Sequence, residues 1–150
     1  MEELIAVSQV NSNKLRAMEY IDYIRKCKVG SVLNIKEPIF LPRFLKTLVL
    51  QLRTPVMCVS HSLRKETLVK SILQLCSPEE RNRLEALPLY FDDTPDLDFD
   101  GMVKRILPVM MENNTRLLVI KSSARFLKTN ETKLTRLASH FQIIVITSSI

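Results

Sequence analysis

Two neighbouring carboxylates, Asp92 and Asp93, follow the apolar run Pro88-Leu89-Tyr90-Phe91 and open the turn Asp92-Asp93-Thr94-Pro95. Paired acids at a strand end can hold a divalent cation. They can also accept hydrogen bonds from the N–H groups of a turn or a helix start, and that structural reading is the favoured one. Lys121-Ser122-Ser123-Ala124-Arg125 follows a second apolar run and reads as a polar loop, with anion binding as its functional counterpart. His61 and His140 stand alone in the sequence. His61 falls at the C-terminal end of a predicted strand, where ligand sites of α/β proteins gather. Otherwise an isolated histidine is a satisfied surface or core residue. Cys27, Cys58 and Cys76 are odd in number, lack C-x-x-C spacing and sit among apolar residues. They read as reduced core thiols, with no metal or disulfide expected.

The segment after the first predicted strand is equally telling for what it lacks. Gly30 opens Ser31 to Ile35 (SVLNI), and the chain continues Lys36-Glu37-Pro38-Ile39-Phe40-Leu41-Pro42-Arg43-Phe44. A strand-to-helix turn that cradles phosphates needs glycine for close backbone approach, a Lys for the terminal charge and a Ser/Thr for Mg²⁺. No glycine lies between Gly30 and Gly101. A working phosphate loop is therefore not expected here, and no nucleotide cofactor or metal is predicted.

The elements that position these residues follow from periodicity. Asn13 can cap a helix running to about Lys28, with Ala17, Tyr20, Ile21 and Ile24 on one face. Leu41, Phe44, Leu45, Leu48, Val49 and Leu52 form an apolar stripe with Pro42 in the first turn. Pro55 to Ser60 is a buried strand, after which Ser62 can cap a helix carrying Leu68, Val69, Ile72, Leu73 and Cys76. Ser77-Pro78-Glu79-Glu80 reads as a helix start. Pro88 to Phe91 is strand three. Asp98 can cap a helix with Met102, Val103, Ile106 and Leu107, which Pro108 should kink or end. Leu117 to Ile120 is strand four, a helix runs from about Asn130 to His140, and Gln142 to Thr147 is strand five. Met102, Met110 and Met111 fill core gaps. Continuous Val/Ile/Leu strands alternating with helices predict a parallel sheet covered on both faces.

The 150 residues fit one domain, with 1–28 as an N-terminal helical extension. Apolar content of 46% and charged content of 25% are those of a globular protein, and no apolar run approaches the length of a membrane span. No secretory signal is evident, so a cytoplasmic protein is expected. The net charge is +6. The cations are dispersed over Lys26, Lys28, Arg64, Lys65, Arg81, Arg83, Lys104, Arg105, Arg125, Lys128, Lys133 and Arg136. They form either solvated helix faces or a weak field for nucleic acid or an acidic partner.

Pro88 to Pro95 (PLYFDDTP) resembles the P-L-Y-I-D-D-T-P stretch of bacterial replicative helicases, the DnaB family, whose motor domain is RecA-like. Other pieces fall in the same order. Pro55 to Val69 is similar to the family's P-V-x-x-F-S-L-E-M-S-K-E-Q-L-V. Leu117 to Lys121 sits where the Walker B strand L-I-V-I-D would be. Leu137 to Ser148 resembles L-A-K-E-L-x-V-P-V-I-x-L-S-Q, and Gly30 to Leu48 resembles the phosphate-loop region. The likeness covers about residues 30–150 and implies a RecA-like three-layer α/β sandwich with a five-stranded, mainly parallel sheet.

The departures bear on function. Aligned on Pro38, the loop's Gly, Lys and Ser/Thr become Leu41, Pro42 and Arg43, within a stretch Pro38, Ile39, Phe40, Leu41, Pro42, Arg43 that offers no phosphate cradle. Pro42 has neither N–H nor charge, and Arg43 cannot ligate Mg²⁺. The family's catalytic Glu falls at Ser62 and its Walker B Asp at Lys121, a reversal of charge. The sequence also ends just after strand five, before the family's DNA-contacting loops and trans arginine, as a trimmed motor core would. A receiver-type phosphoacceptor domain is disfavoured, because its acid pair follows the first strand and its Lys the last.

The resemblance therefore implies a catalytically inactive, helicase-like domain of DNA replication. Phe40, Leu41 and Pro42 would fill the phosphate space. The expected partners are a replicative helicase, a second copy of the chain, or nucleic acid held on the basic faces, with no membrane. The alternative is a replicative helicase component that binds ATP only when a neighbouring chain completes the site. An inert remnant or filament subunit is a third reading.

Overall fold

The computed structural model describes residues 17–36, 39–86, 88–95 and 97–150, with side chains from residue 20 onward. Glu37, Pro38 and residues 1–16, including the expected cap Asn13, lie outside the described residues. The chain runs α1 (Ala17–Lys26), β1 (Val32–Ile35), α2 (Leu41–Leu52), β2 (Val56–Ser60), α3 (Lys65–Gln74), α4 (Pro78–Glu85), β3 (Leu89–Asp92), α5 (Phe99–Glu112), β4 (Leu117–Ser122), α6 (Ala124–Thr129), α7 (Glu131–Phe141) and β5 (Ile144–Ser149).

The five strands form one sheet in the order β1-β5-β4-β2-β3, and every pairing is parallel. The molecule is thus an α/β protein whose sheet is flanked by helices on both faces, consistent with a RecA-like three-layer sandwich. Burial explains the order. All five residues of β2 are buried, as are five of the six in β4, so these apolar strands occupy the centre. The edge strands β1 and β3 are only partly covered.

Alternation along the strands divides the core in two. One layer gathers Leu33, Ile35, Val56, Cys58, Leu117, Val119 and Ile146 under Tyr20, Ile21 and Ile24 of α1, Leu41, Phe44, Leu45, Leu48 and Val49 of α2, and Leu68 and Ile72 of α3. The other gathers Met57, Val59, Leu118, Ile120 and Val145 under Phe99, Met102, Ile106 and Met110 of α5, and Leu134, Leu137 and Ala138 of α7. Residues 17–26 therefore belong to the body of this chain, where Tyr20 meets Phe44 edge-on at 6.2 Å. With only two glycines in the sequence, α2 and α7 end on left-handed Arg53 and Gln142 instead. Gly30 is where the backbone itself calls for glycine: φ is +92°, and its N–H donates to the Ile143 carbonyl at 2.8 Å.

Several local expectations change. Pro108 neither ends α5 nor halves it: the helix runs on to Glu112, because Met110 beyond the proline is anchored in the core. β4 reaches Ser122 and β5 starts at Ile144 and reaches Ser149, since the two strands pair through Ser122↔Ser149. Lys121 to Arg125 is not a loop; it is the end of β4 and the start of α6, with the Ser123 hydroxyl accepting from the Phe126 N–H at 3.1 Å. Ser62 does not cap α3, whose N-cap position is Arg64. The helix starts at Ser77 and Asp98 form as expected, the first as a full capping box with Glu80. Ser77 and then Lys46 hold the Glu80 carboxyl below the usual carboxylate range.

Candidate functional site

The sequence points to the C-terminal ends of the strands, and the register sets out what stands there. Asp92, Val59, Ile120, Thr147 and Asn34 lie level across the sheet, and Ser60, Lys121, Ser148 and Ile35 form the next row. The connections after β2 and β4 leave toward opposite faces, so a switch point lies between these neighbours, the usual place for a ligand crevice.

At the end of β1, the chain enters α2 through mostly apolar residues. Leu41 is 2% exposed within the core layer of α2, and Pro42 is buried. Ile39 packs partly against the same cluster. Phe40, by contrast, is 59% exposed and fills no space, contrary to the expectation that it packs there with Leu41 and Pro42. Phe40 sits at the N-cap position with no side-chain acceptor, and Pro42 removes one of the free N–H groups of the first turn. Arg43 points to solvent, and its carbonyl accepts from the Thr47 hydroxyl. Pro38 lies outside the described residues.

At the end of β4, the Lys121 ammonium donates to the Ser149 carbonyl at 2.8 Å and the Ser148 hydroxyl at 3.2 Å. Burial lowers its pKa. The Lys121 cation is thus held by acceptors of the neighbouring strand β5. Ser62 is exposed in the turn after β2. In the same turn the Ser60 hydroxyl accepts from the Leu63 N–H at 2.9 Å, and the His61 N–H donates to the Lys121 carbonyl at 2.9 Å. His61 is not isolated in space: Nδ1 lies 2.6 Å from the Ser122 hydroxyl, and the ring packs edge-on with Phe126 at 4.9 Å. Sequence spacing hid these contacts because the β2–β4 pairing joins residues 61 apart.

The acid pair is divided between two structural tasks. Asp92 accepts from the Thr94 N–H at 2.9 Å and from Arg105 Nε at 2.6 Å. Burial pushes its carboxyl up, but Thr94 and Arg105 together outweigh that and hold it below the usual range. Asp93 accepts from the Lys65 N–H at 2.7 Å and so supplies, from a different loop, the cap that α3 lacks in its own sequence. Among the described residues no group of three or more His, Cys, Asp or Glu side chains could hold a metal ion. The Cys27 thiol donates to the Tyr23 carbonyl at 3.3 Å, and Cys58 and Cys76 are free thiols. Cys58 is fully buried, which pushes its thiol to about 12, while Cys27 and Cys76 are partly buried. Among the described residues no helix is long and apolar enough to cross a membrane.

The residues that sequence reasoning overlooked are the buried hydroxyls Ser60, Thr147 and Ser148, which join Ser122 at this edge. The signal available was three strands that end in Ser or Thr, a polar edge on otherwise apolar runs. Thr147 donates to Asn34 Oδ1 at 3.0 Å, which ties β5 to β1 at this edge. Chemically, the described residues here hold hydroxyls, an amine and an imidazole, and the carboxylate of Asp92 is engaged by Thr94 and Arg105. No protein-family model matches the chain, and no curated protein matches it.

Proposed function

We propose that this chain is a catalytically inactive, helicase-like domain that acts in DNA replication by binding a helicase, a related oligomer or nucleic acid. The resemblance of PLYFDDTP and the ordered strands supplies the ancestry. The observation that carries the loss of activity is the burial of Leu41 and Pro42 where phosphates would lie. A side chain in the hydrophobic core cannot also make room for a triphosphate, and a proline offers no N–H to one. The Lys121 ammonium supports the same reading, since it would repel Mg²⁺.

Calorimetric titration with ATP and Mg²⁺ tests this. The expected result is no saturable heat and no turnover. Micromolar binding, or hydrolysis abolished by Arg43→Ala, overturns it. Size-exclusion analysis of the chain mixed with the replicative helicase of its host tests the positive half, and co-elution is the expected result.

A further inference from the structure

On the face of the sheet opposite α2, an open groove of about 540 Å³ runs between α5 and α7. Its floor is apolar and helical in spacing: Phe99 and Val103 are four residues apart on α5, and Leu137 and Phe141 are four apart on α7. Its rims are cationic, with Lys104 on the α5 side and Lys133 and Arg136 on the α7 side. Asp100 is the acid among the lining residues. Lys104, Lys133 and Arg136 are all exposed, and none of them takes part in an ion pair within the described residues.

We infer that this groove docks an acidic amphipathic helix of a partner protein. Such a helix carries apolar anchors at i, i+3, i+4 and i+7, which match a floor built from two i, i+4 pairs, and its flanking carboxylates would meet a cation on either rim. Nucleic acid fits less well. Base stacking needs open aromatic faces. Phe99 is only 9% exposed and has the Lys133 ammonium 5.7 Å from its ring centre, while Phe141 is engaged with His140 in a T-shaped pair at 4.7 Å. The inference deepens the binding reading above and rests on it for its role. The ATP titration probes the end of β1 and the groove lies on the other face, so either can fail alone.

The test is fluorescence anisotropy with a labelled helical peptide bearing leucines at i, i+3, i+4 and i+7 flanked by glutamates, its twin with lysines in place of the glutamates, and a labelled oligo-dT. The acidic peptide binds and the basic twin does not. Lys104→Glu with Arg136→Glu weakens binding at least about tenfold, because rim charges of the wrong sign repel the ligand. Asp100→Asn strengthens binding, which keeps the proposal readable should the double variant unfold. Amide shifts on titration fall on residues 99–104 and 133–141. Equal binding of the two peptides, an unchanged affinity in the double variant, or oligo-dT displacing the acidic peptide each overturns it.

Discussion

Replacing Leu41 by alanine separates a plugged phosphate site from a loop that is merely short of glycine. Leu41 is 2% exposed and belongs to the core layer under α2, whereas its neighbour Phe40 is 59% exposed. Removing a buried leucine side chain costs about 2–5 kcal/mol, from lost transfer energy and the cavity left behind. At the first residue of a helix alanine adds no propensity penalty, and the site sits at the rim of the core, so about 3 kcal/mol is the appropriate figure. For a chain of this size that lowers Tm by about 6–12 °C, at 2–4 °C per kcal/mol. Phe40→Ala removes a larger but exposed ring and should stay within about 0.5 kcal/mol. Urea unfolding of both variants, with Tm by calorimetry, gives the two numbers, and ATP with Mg²⁺ should shift neither curve. If Leu41→Ala costs less than about 1 kcal/mol, or if ATP stabilises that variant, the side chain is no structural plug and the reasoning fails.

Arg105→Ala removes a charge-assisted bond to Asp92 whose arginine side chain is 53% exposed, so about 1–1.5 kcal/mol is expected after allowing for solvent screening. The folded Asp92 pKa is lowered, so its contribution is present above the unfolded value of about 4 and is lost as pH falls through the folded value. The gap between parent and variant should therefore close in acid, and a gap that stays constant down to about pH 3 contradicts the pairing. Asp93→Ala removes the cap on Lys65 and should cost about 1 kcal/mol, whereas Ser62→Ala should be near neutral; equal effects in denaturation would reverse the assignment of the cap. Lys121→Asp sets a carboxylate against the Ser149 carbonyl and should destabilise by about 1–3 kcal/mol. Mg²⁺ should not restore that stability in thermal melts, and recovery with Mg²⁺ would mean that a metal site survives.

The layers were legible because burial writes itself into sequence at fixed periods. β2 and β4 are uninterrupted apolar runs, and α2 and α7 repeat their apolar residues at helical spacing. The caps at Ser77 and Asp98 were legible because donor and acceptor lie within three residues. What escaped depends on pairs distant in the chain. Asp93 caps α3 across 28 residues, and His61 meets Ser122 across 61. A local reading assigned the first task to Ser62 and left the second residue alone. Pro108 misled for a related reason: proline removes one hydrogen bond, but Ile106 and Met110 on either side are held in the core, and tertiary packing outweighs the local loss.

The polar edge of the sheet also bears on whether the proposed loss of activity is decay or replacement. Decay alone would strip required groups and leave their former partners buried without hydrogen bonds, at a cost of about 1–3 kcal/mol each. Here the polar groups at the edge have partners. The Lys121 ammonium is received by Ser148 and Ser149, Ser60 holds the Leu63 N–H, and Thr147 is joined to Asn34. The Lys121 and Thr147 contacts link β4, β5 and β1, and Ser60 closes the turn after β2, at the end where, on the proposed reading, a motor would need mobile loops. An edge tied in this way gains rigidity and, on the proposed reading, gives up room for a nucleotide. That exchange suits a domain that presents a fixed surface to a partner better than one that cycles between states.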